Sequence, residues 1–413
     1  MKPGLVHNAL DMADSFILTG ARILLPERVL DEGSLAVEAG IIRWIREGGV
    51  SPRQFGGAWN ATLPIVDCGG AWISPGLTEL HIHGAFGYGF ETAVDGAGLR
   101  DLAAKLQSKG VFRFLPTILW DEAAVKNLVA AIDDSGLYGS TIPGIYLEGP
   151  FINPKRKGGI GLEQICRPEA SVLETLLDAC AGKLRIMTLA PEMPGIEALY
   201  PLLRKANVMI ALGHSDAKLS TKLPERPFSI THLFNAMSPF DHKEGGLANL
   251  ALDGAADWVE LNADGVHVSP HAMRSVLRCI DPASLILTSD AVAPAGLGYG
   301  EYRYFAKAVR SGASGVRYAQ DDTLIGSNLL GMDIVRSFAA VTGCDLSQAV
   351  SFMSANPEAL LGSTGAAPGG RLEPGARADL CIWNKDFSGC TRIDGRIPRD
   401  LDSGVAILSL ERV

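Results

Sequence analysis

The sequence predicts an α/β protein: a (β/α)8 barrel beside a small β-sandwich domain built from both chain ends. Three observations carry this. Between about residues 73 and 362, eight short apolar runs alternate with amphipathic or charged stretches, the pattern of strands and helices wound into a parallel barrel. Both chain ends have a different texture, with short apolar runs broken by glycine, as in a small sheet. Histidines and carboxylates fall directly after several of the middle runs, where a barrel keeps its active site.

Taken in order, residues 1–14 read as a frayed leader, and 16–25 and 34–45 as strands. The barrel runs are 77–83, 113–119, 144–147, 185–189, 209–212, 229–231, 259–262 and 285–288. Helical periodicity occupies 99–109, 122–132, 171–181 and 270–279 between them. Two more helices are expected at 333–342 and 347–361, after the barrel closes. The strand texture returns at 371–383, 389–395 and 405–408. The expected division is therefore 1–72 and 363–413 for the small domain and 73–362 for the barrel.

Composition narrows the class. With 47% hydrophobic and 20% charged residues over 413 positions, the chain has the make-up of a soluble globular protein with ample core. No apolar run is long enough to span a membrane, and the N-terminus lacks a signal peptide's layout. Seven cysteines, an odd number without a C-x-x-C pair, point to a reducing compartment and hence the cytoplasm. A formal charge of −9 disfavours nucleic acid as a partner and means that an anionic substrate needs a locally positive pocket.

The strand ends hold the chemistry. Run one closes with His81 and His83, which point to one face of a strand because they are two residues apart. Run three ends in Glu148, run five is followed by His214 and run six by His232. Run seven leads to His267 and run eight to Asp290. Several imidazoles with one carboxylate suit a zinc- or iron-class divalent ion, whereas calcium takes an all-oxygen site. Such an ion acidifies bound water and polarises a carbonyl. Asp290 can take the water's proton and pass it to a leaving amine, so the set suits metal-assisted amide hydrolysis. His7, His242 and His271 are expected to face solvent.

These motifs resemble the amidohydrolase superfamily and, within it, the N-acetylglucosamine-6-phosphate deacetylase family. The resemblance rests on Pro75-Gly76-Leu77 before His81-Ile82-His83, on Leu147-Glu148-Gly149-Pro150 and Gly213-His214-Ser215, and on Thr231-His232-Leu233-Phe234-Asn235-Ala236-Met237 and Ser289-Asp290-Ala291. It implies a metal-centred TIM barrel, usually a homodimer, that hydrolyses the N-acetyl group of an amino-sugar phosphate. By analogy Glu148, His214 and His232 hold the main divalent metal, with His81 and His83 completing a second site, so one or two ions are expected. Asp290 matches the catalytic aspartate and His267 a substrate-contacting histidine. The backbone amides of Asn235 and Ala236 match those that receive the phosphate. Two positions depart. Ile160 stands where the family has a sugar-contacting histidine, and Lys243 replaces a phosphate-binding arginine without its bidentate fork. A second enzyme reading is a relative acting on an unphosphorylated N-acetyl sugar or an N-acyl amino acid.

Overall fold

A computed structural model describes residues 12–50, 63–92, 94–305, 307–362 and 369–398. The expected strand at 405–408 and all but the last residues of the expected leader lie outside these. The chain divides into two compact units, Leu77–Gly362 and one made from both ends, Met1–Gly76 with Ser363–Val413.

The larger unit is the barrel. Its strands are Leu77–Ile82, Val111–Leu119, Ile145–Glu148, Leu184–Leu189, Met209–Leu212, Ser229–Ile230, Trp258–Asn262 and Leu285–Thr288. They pair in parallel and in sequence order. Closure comes just past the ends of the last and first strands. A parallel bridge joins Ile82 to Ala291, the His83 amide donates to Ala291 O at 2.8 Å and the Asp290 amide to His81 O at 2.9 Å. The seam of the barrel is thus tied by the residues expected to do chemistry. Inside, Leu80, Leu115, Tyr146, Ile186, Ala211 and Ile286 form one apolar cluster with Leu360 and Leu361.

Helix starts follow side-chain capping. Asp95 caps Gly96–Gln107, Asp121 caps Glu122–Ser135 and Ser269 caps Pro270–Cys279, each accepting from an amide three residues on. Further helices fill other crossovers at Ala170–Ala179, Tyr200–Lys205 and Leu247–Leu252. The alternation is incomplete at one point, because residues 213–228, between the fifth and sixth strands, contain no helix. The helix expected over 347–361 is two, Leu346–Ser351 and Ala355–Leu360. Pro357 has no amide hydrogen to continue the first helix, so the chain restarts with the proline in an opening turn.

One element went unanticipated. After the eighth strand comes an antiparallel four-stranded sheet, Gly300–Tyr304, Lys307–Gly312, Gly315–Tyr318 and Leu324–Gly326. Tyr304, Val309 and Val316 build its small core with Val292. The alternation around Tyr302 and Tyr304 and the turn at Gly312–Gly315 carried the signal for it.

The smaller unit is a seven-stranded sheet with the path Cys390–Asp394, Asp379–Trp383, Trp72–Pro75, Phe16–Leu24, Val29–Glu38 and Ile41–Glu47, and with Ile65–Asp67 also on Phe16–Leu24. A separate ladder joins Met12–Ala13 to Ile397–Pro398. Phe16, Leu18, Leu35, Ile42, Leu380 and Ile393 are among its buried core. Among the described residues, no helix is long and apolar enough to cross a membrane.

Candidate metal centre

The three residues that leave a strand to reach the centre do so in the same way. His214, His232 and Asp290 each stand two positions past a strand that ends at Leu212, Ile230 or Thr288. Each adopts a left-handed backbone, with φ of 47°, 28° and 51°. That conformation costs a non-glycine residue about 1–3 kcal/mol and persists only where the surroundings hold it. It turns the side chain back over the barrel mouth. Glu148 is the last residue of its own strand, His81 lies inside the first strand and His83 just beyond it.

These side chains converge. Glu148 Oε1 lies 2.9 Å from His214 Nε2 and 3.0 Å from His232 Nε2, and those two nitrogens are 3.1 Å apart. Its other oxygen is 3.2 Å from His83 Nε2. His81 Nε2 stands 3.7 Å from both Glu148 Oε1 and Asp290 Oδ1. All five residues of the cluster are buried.

The far ring nitrogens show which atoms carry protons. His214 Nδ1 is 2.8 Å from the Arg156 carbonyl, His83 Nδ1 2.7 Å from Glu91 Oε1, and His81 Nδ1 3.1 Å from Glu260 Oε2. Carbonyls and carboxylates only accept, so each Nδ1 is the donor and each neutral ring turns an Nε2 lone pair inward. Lone pairs then face carboxylate oxygens at hydrogen-bond distance, an arrangement that only a positive charge between them relieves. His81 Nε2 is buried with no hydrogen-bond partner among the described residues. Donor type, convergence and this unpartnered nitrogen fit a divalent cation.

The titration behaviour has the same cause. Burial pushes the Glu148 carboxyl up, but His214, His232 and His83 hold it well below the usual range. Burial pushes His81 down, yet Asp290, Glu260 and Glu148 raise it to about 9. His83 is also raised, Glu148 and Glu91 outweighing burial. Affinity for a proton here is affinity for positive charge.

Asp290 sits beside the cluster. Its Oδ2 accepts from Asn262 Nδ2 at 3.1 Å, and Asn262 Oδ1 accepts from Thr288 Oγ1 at 3.1 Å. His267 is held by Asp264, Nδ1 to Oδ2 at 2.8 Å, while the other Asp264 oxygen takes the amides of Val266 and His267. A cavity of about 250 Å³ joins these groups, with His83, Glu148, His214, His232, His267 and Asp290 among its lining. Asn235, Ala236 and Ile160 line it too, and Phe305, Leu324 and Ile325 of the four-stranded sheet extend the apolar part. Ile160 is buried against Leu119 and Ile152.

Two expectations change. Lys243 does not line this cavity. Its amide and that of Glu244 both donate to Asp241 Oδ1, a local turn that leaves the lysine exposed. The Asn235 amide is spent on the His232 carbonyl at 3.0 Å, which leaves Ala236 as the one of the two amides open to a ligand. Sequence reasoning also missed Glu91, Glu260 and Asn262. Glu260 and Asn262 had a signal, being polar residues inside an otherwise apolar strand, where a buried carboxylate needs a partner. Glu91 had none.

Known proteins resemble this chain along most of its length. The amidohydrolase family matches residues 72–397. The human N-acetylglucosamine-6-phosphate deacetylase is 34% identical over 76% of this chain and 80% of its own. The N-acetylgalactosamine-6-phosphate deacetylase of Escherichia coli O157:H7 is 30% identical over 88% of this chain and 94% of its own. Among solved structures, a mutant N-acetyl-D-glucosamine-6-phosphate deacetylase from Mycobacterium smegmatis, in complex with N-acetyl-D-glucosamine-6-phosphate, superimposes with a TM-score of 0.79. It is 27% identical, and the match covers 93% of this chain and 98% of that one.

Proposed function

The chain belongs to the amidohydrolase family, and on that premise we propose that it hydrolyses N-acetylglucosamine 6-phosphate to glucosamine 6-phosphate and acetate. The observation that carries the reading is the convergence of four imidazole Nε2 atoms on one buried carboxylate, Glu148, with Asp290 alongside.

Glu148, His214 and His232 would hold the first divalent ion, zinc or iron by donor type, and Glu148 with His81 and His83 a second. When bound, such an ion polarises the acetamide carbonyl and acidifies water. Asp290, fixed by Asn262, takes the proton of the attacking water on Oδ1 and returns it to the amine nitrogen as the C–N bond breaks. His267, fixed by Asp264, keeps Nε2 for the sugar. The Ala236 amide offers the phosphate a donor, and Lys157, whose Nζ lies 3.2 Å from the carbonyl of cavity-lining Gly158, offers a nearby cation. Lys243, exposed and off the cavity, is given no part in binding the phosphate, and a homodimer is the assembly we propose. Among the described residues the cysteines form no disulfide, which supports a reducing, cytoplasmic setting.

A 4-epimer specificity is the second reading. It is favoured by the apolar Ile160 in the cavity wall and by the relative named for N-acetylgalactosamine 6-phosphate. An acetate-release screen over both N-acetylhexosamines, with and without 6-phosphate, tests the proposal. The highest kcat/KM is expected on N-acetylglucosamine 6-phosphate. Equal rates on the unphosphorylated sugars would overturn the phosphate assignment.

A further inference from the structure

Glu260 presents a problem that the fold does not explain. It lies in the seventh barrel strand, its side chain is 0% exposed, and only one of its oxygens is bonded, to His81 Nδ1 at 3.1 Å. The other, Oε1, makes no hydrogen bond among the described residues. Burying a half-satisfied carboxylate costs stability, and an apolar side chain at such a position is usually neutral or better for folding. Something beyond the fold must compensate it.

Glu91 repeats the arrangement from a different part of the chain. Its Oε1 accepts from His83 Nδ1 at 2.7 Å and its Oε2 from the Tyr304 hydroxyl at 3.2 Å. Two carboxylates from unrelated loci therefore grip the outer nitrogens of the two neighbouring histidines. The other two imidazoles of the cluster have no such support. His214 leans on a backbone carbonyl, and His232 Nδ1 has no partner among the described residues.

The consequence follows from imidazole chemistry. A carboxylate at Nδ1 fixes the tautomer, locks the ring plane and makes Nε2 a stronger electron-pair donor. Those properties matter when Nε2 binds a cation and little when the ring merely packs. We propose that Glu260 and Glu91 are positioning residues for metal, committing His81 and His83 as ligands of a second divalent ion that they share with Glu148. The inference rests on the metal-centre reading above. The cation offsets the charge buried at Glu260, so the unbonded oxygen is tolerated in the loaded protein. Tyr304 gives Glu91 a further role. It lines the cavity, so the four-stranded sheet that forms part of the substrate wall also braces one ligand of the second ion.

The test is metal binding, read independently of acetate release. The full chain is stripped with a chelator and titrated with Zn²⁺ against a chromophoric competitor, with ion content by mass spectrometry and Co²⁺ absorption as a signature of each site. The parent should take two ions. Glu260→Gln and Glu91→Gln should keep the first at parental affinity and bind the second about 10- to 100-fold more weakly, the usual effect of losing a carboxylate behind a ligating histidine. Thermal unfolding of the stripped variants checks folding. If Glu260→Gln does not fold, Glu91→Gln, with Tyr304→Phe as a milder companion, carries the test. Parental stoichiometry and both parental dissociation constants in the variants would overturn the proposal. So would a parent that binds one ion, although a one-ion deacetylase would leave the proposed reaction standing. A parent that binds two ions but releases no acetate would instead overturn the reaction and keep this inference.

Discussion

The two imidazole pairs around Glu148 reach the same point by different means. His214 and His232 are placed by the main chain, two residues past short strands and in left-handed backbone. His81 and His83 lie in or directly after an ordinary strand and are aimed by carboxylates at their outer nitrogens. The difference decides how each pair can fail. A ligand set by backbone is lost only with its own side chain or with the local fold. One set by a neighbouring carboxylate can be weakened by a single remote substitution while the fold stands.

The strongest way to break this comparison is to remove a backbone-set ligand. His214→Ala should abolish turnover and empty the first ion site together, measured by acetate release and ion content. Full occupancy with activity intact would show that the pair is dispensable. Next comes Asp290→Asn, which keeps size and removes the base. We expect kcat to fall at least ~10²-fold, the scale of general acid–base assistance, with the metal retained. Lys157→Ala should raise KM for the 6-phosphate substrate roughly tenfold, one charge-assisted hydrogen bond, and leave the unphosphorylated sugar unaffected, whereas Lys243→Ala, off the cavity, should change neither. No change in KM would remove Lys157 from the substrate site.

A smaller effect is expected at Asn262, which holds Asp290 as the carboxylates hold His81 and His83. Asn262→Ala should lower kcat about fivefold and hardly alter KM, since a neutral donor contributes ~1 kcal/mol. The smallest is a matter of pH. Burial lowers the His267 pKa, but the hydrogen bond and charge of Asp264 raise it overall. Burial raises Asp264, while His267 and the amides of His267 and Val266 lower it overall. Stability from a raised histidine is complete below its unfolded value and fades as pH rises through the folded one. Stability from a lowered aspartate is complete above its unfolded value and fades as pH falls through the folded one. The pair should therefore contribute fully between about pH 4 and 6.5, and urea unfolding of His267→Ala should differ most from the parent in that window. A constant difference across pH would show that the two groups do not titrate as a unit.

How far the site could be read in advance depended on distance along the chain. Glu148, His214, His232 and Asp290 were legible because each follows an apolar run, and run, turn and polar residue are neighbours in sequence. The barrel order came from the same local periodicity. The helix expected over 347–361 is broken at Pro357, and the unanticipated sheet over 300–326 had its alternation in the sequence.

Other features had no local trace. Glu260 meets His81 across 179 positions and Tyr304 meets Glu91 across 213. Lys243 sits beside the right motif in sequence and away from the cavity in space. By itself the sequence determined which residue types gather at the barrel mouth, because hydrophobic period and turn chemistry act over a few residues. Which imidazole nitrogen faces inward, and which carboxylate holds it there, only the tertiary structure decided. A tautomer is set by a hydrogen bond of about 3 Å, and the atoms that make it come from strands and loops that folding alone brings together.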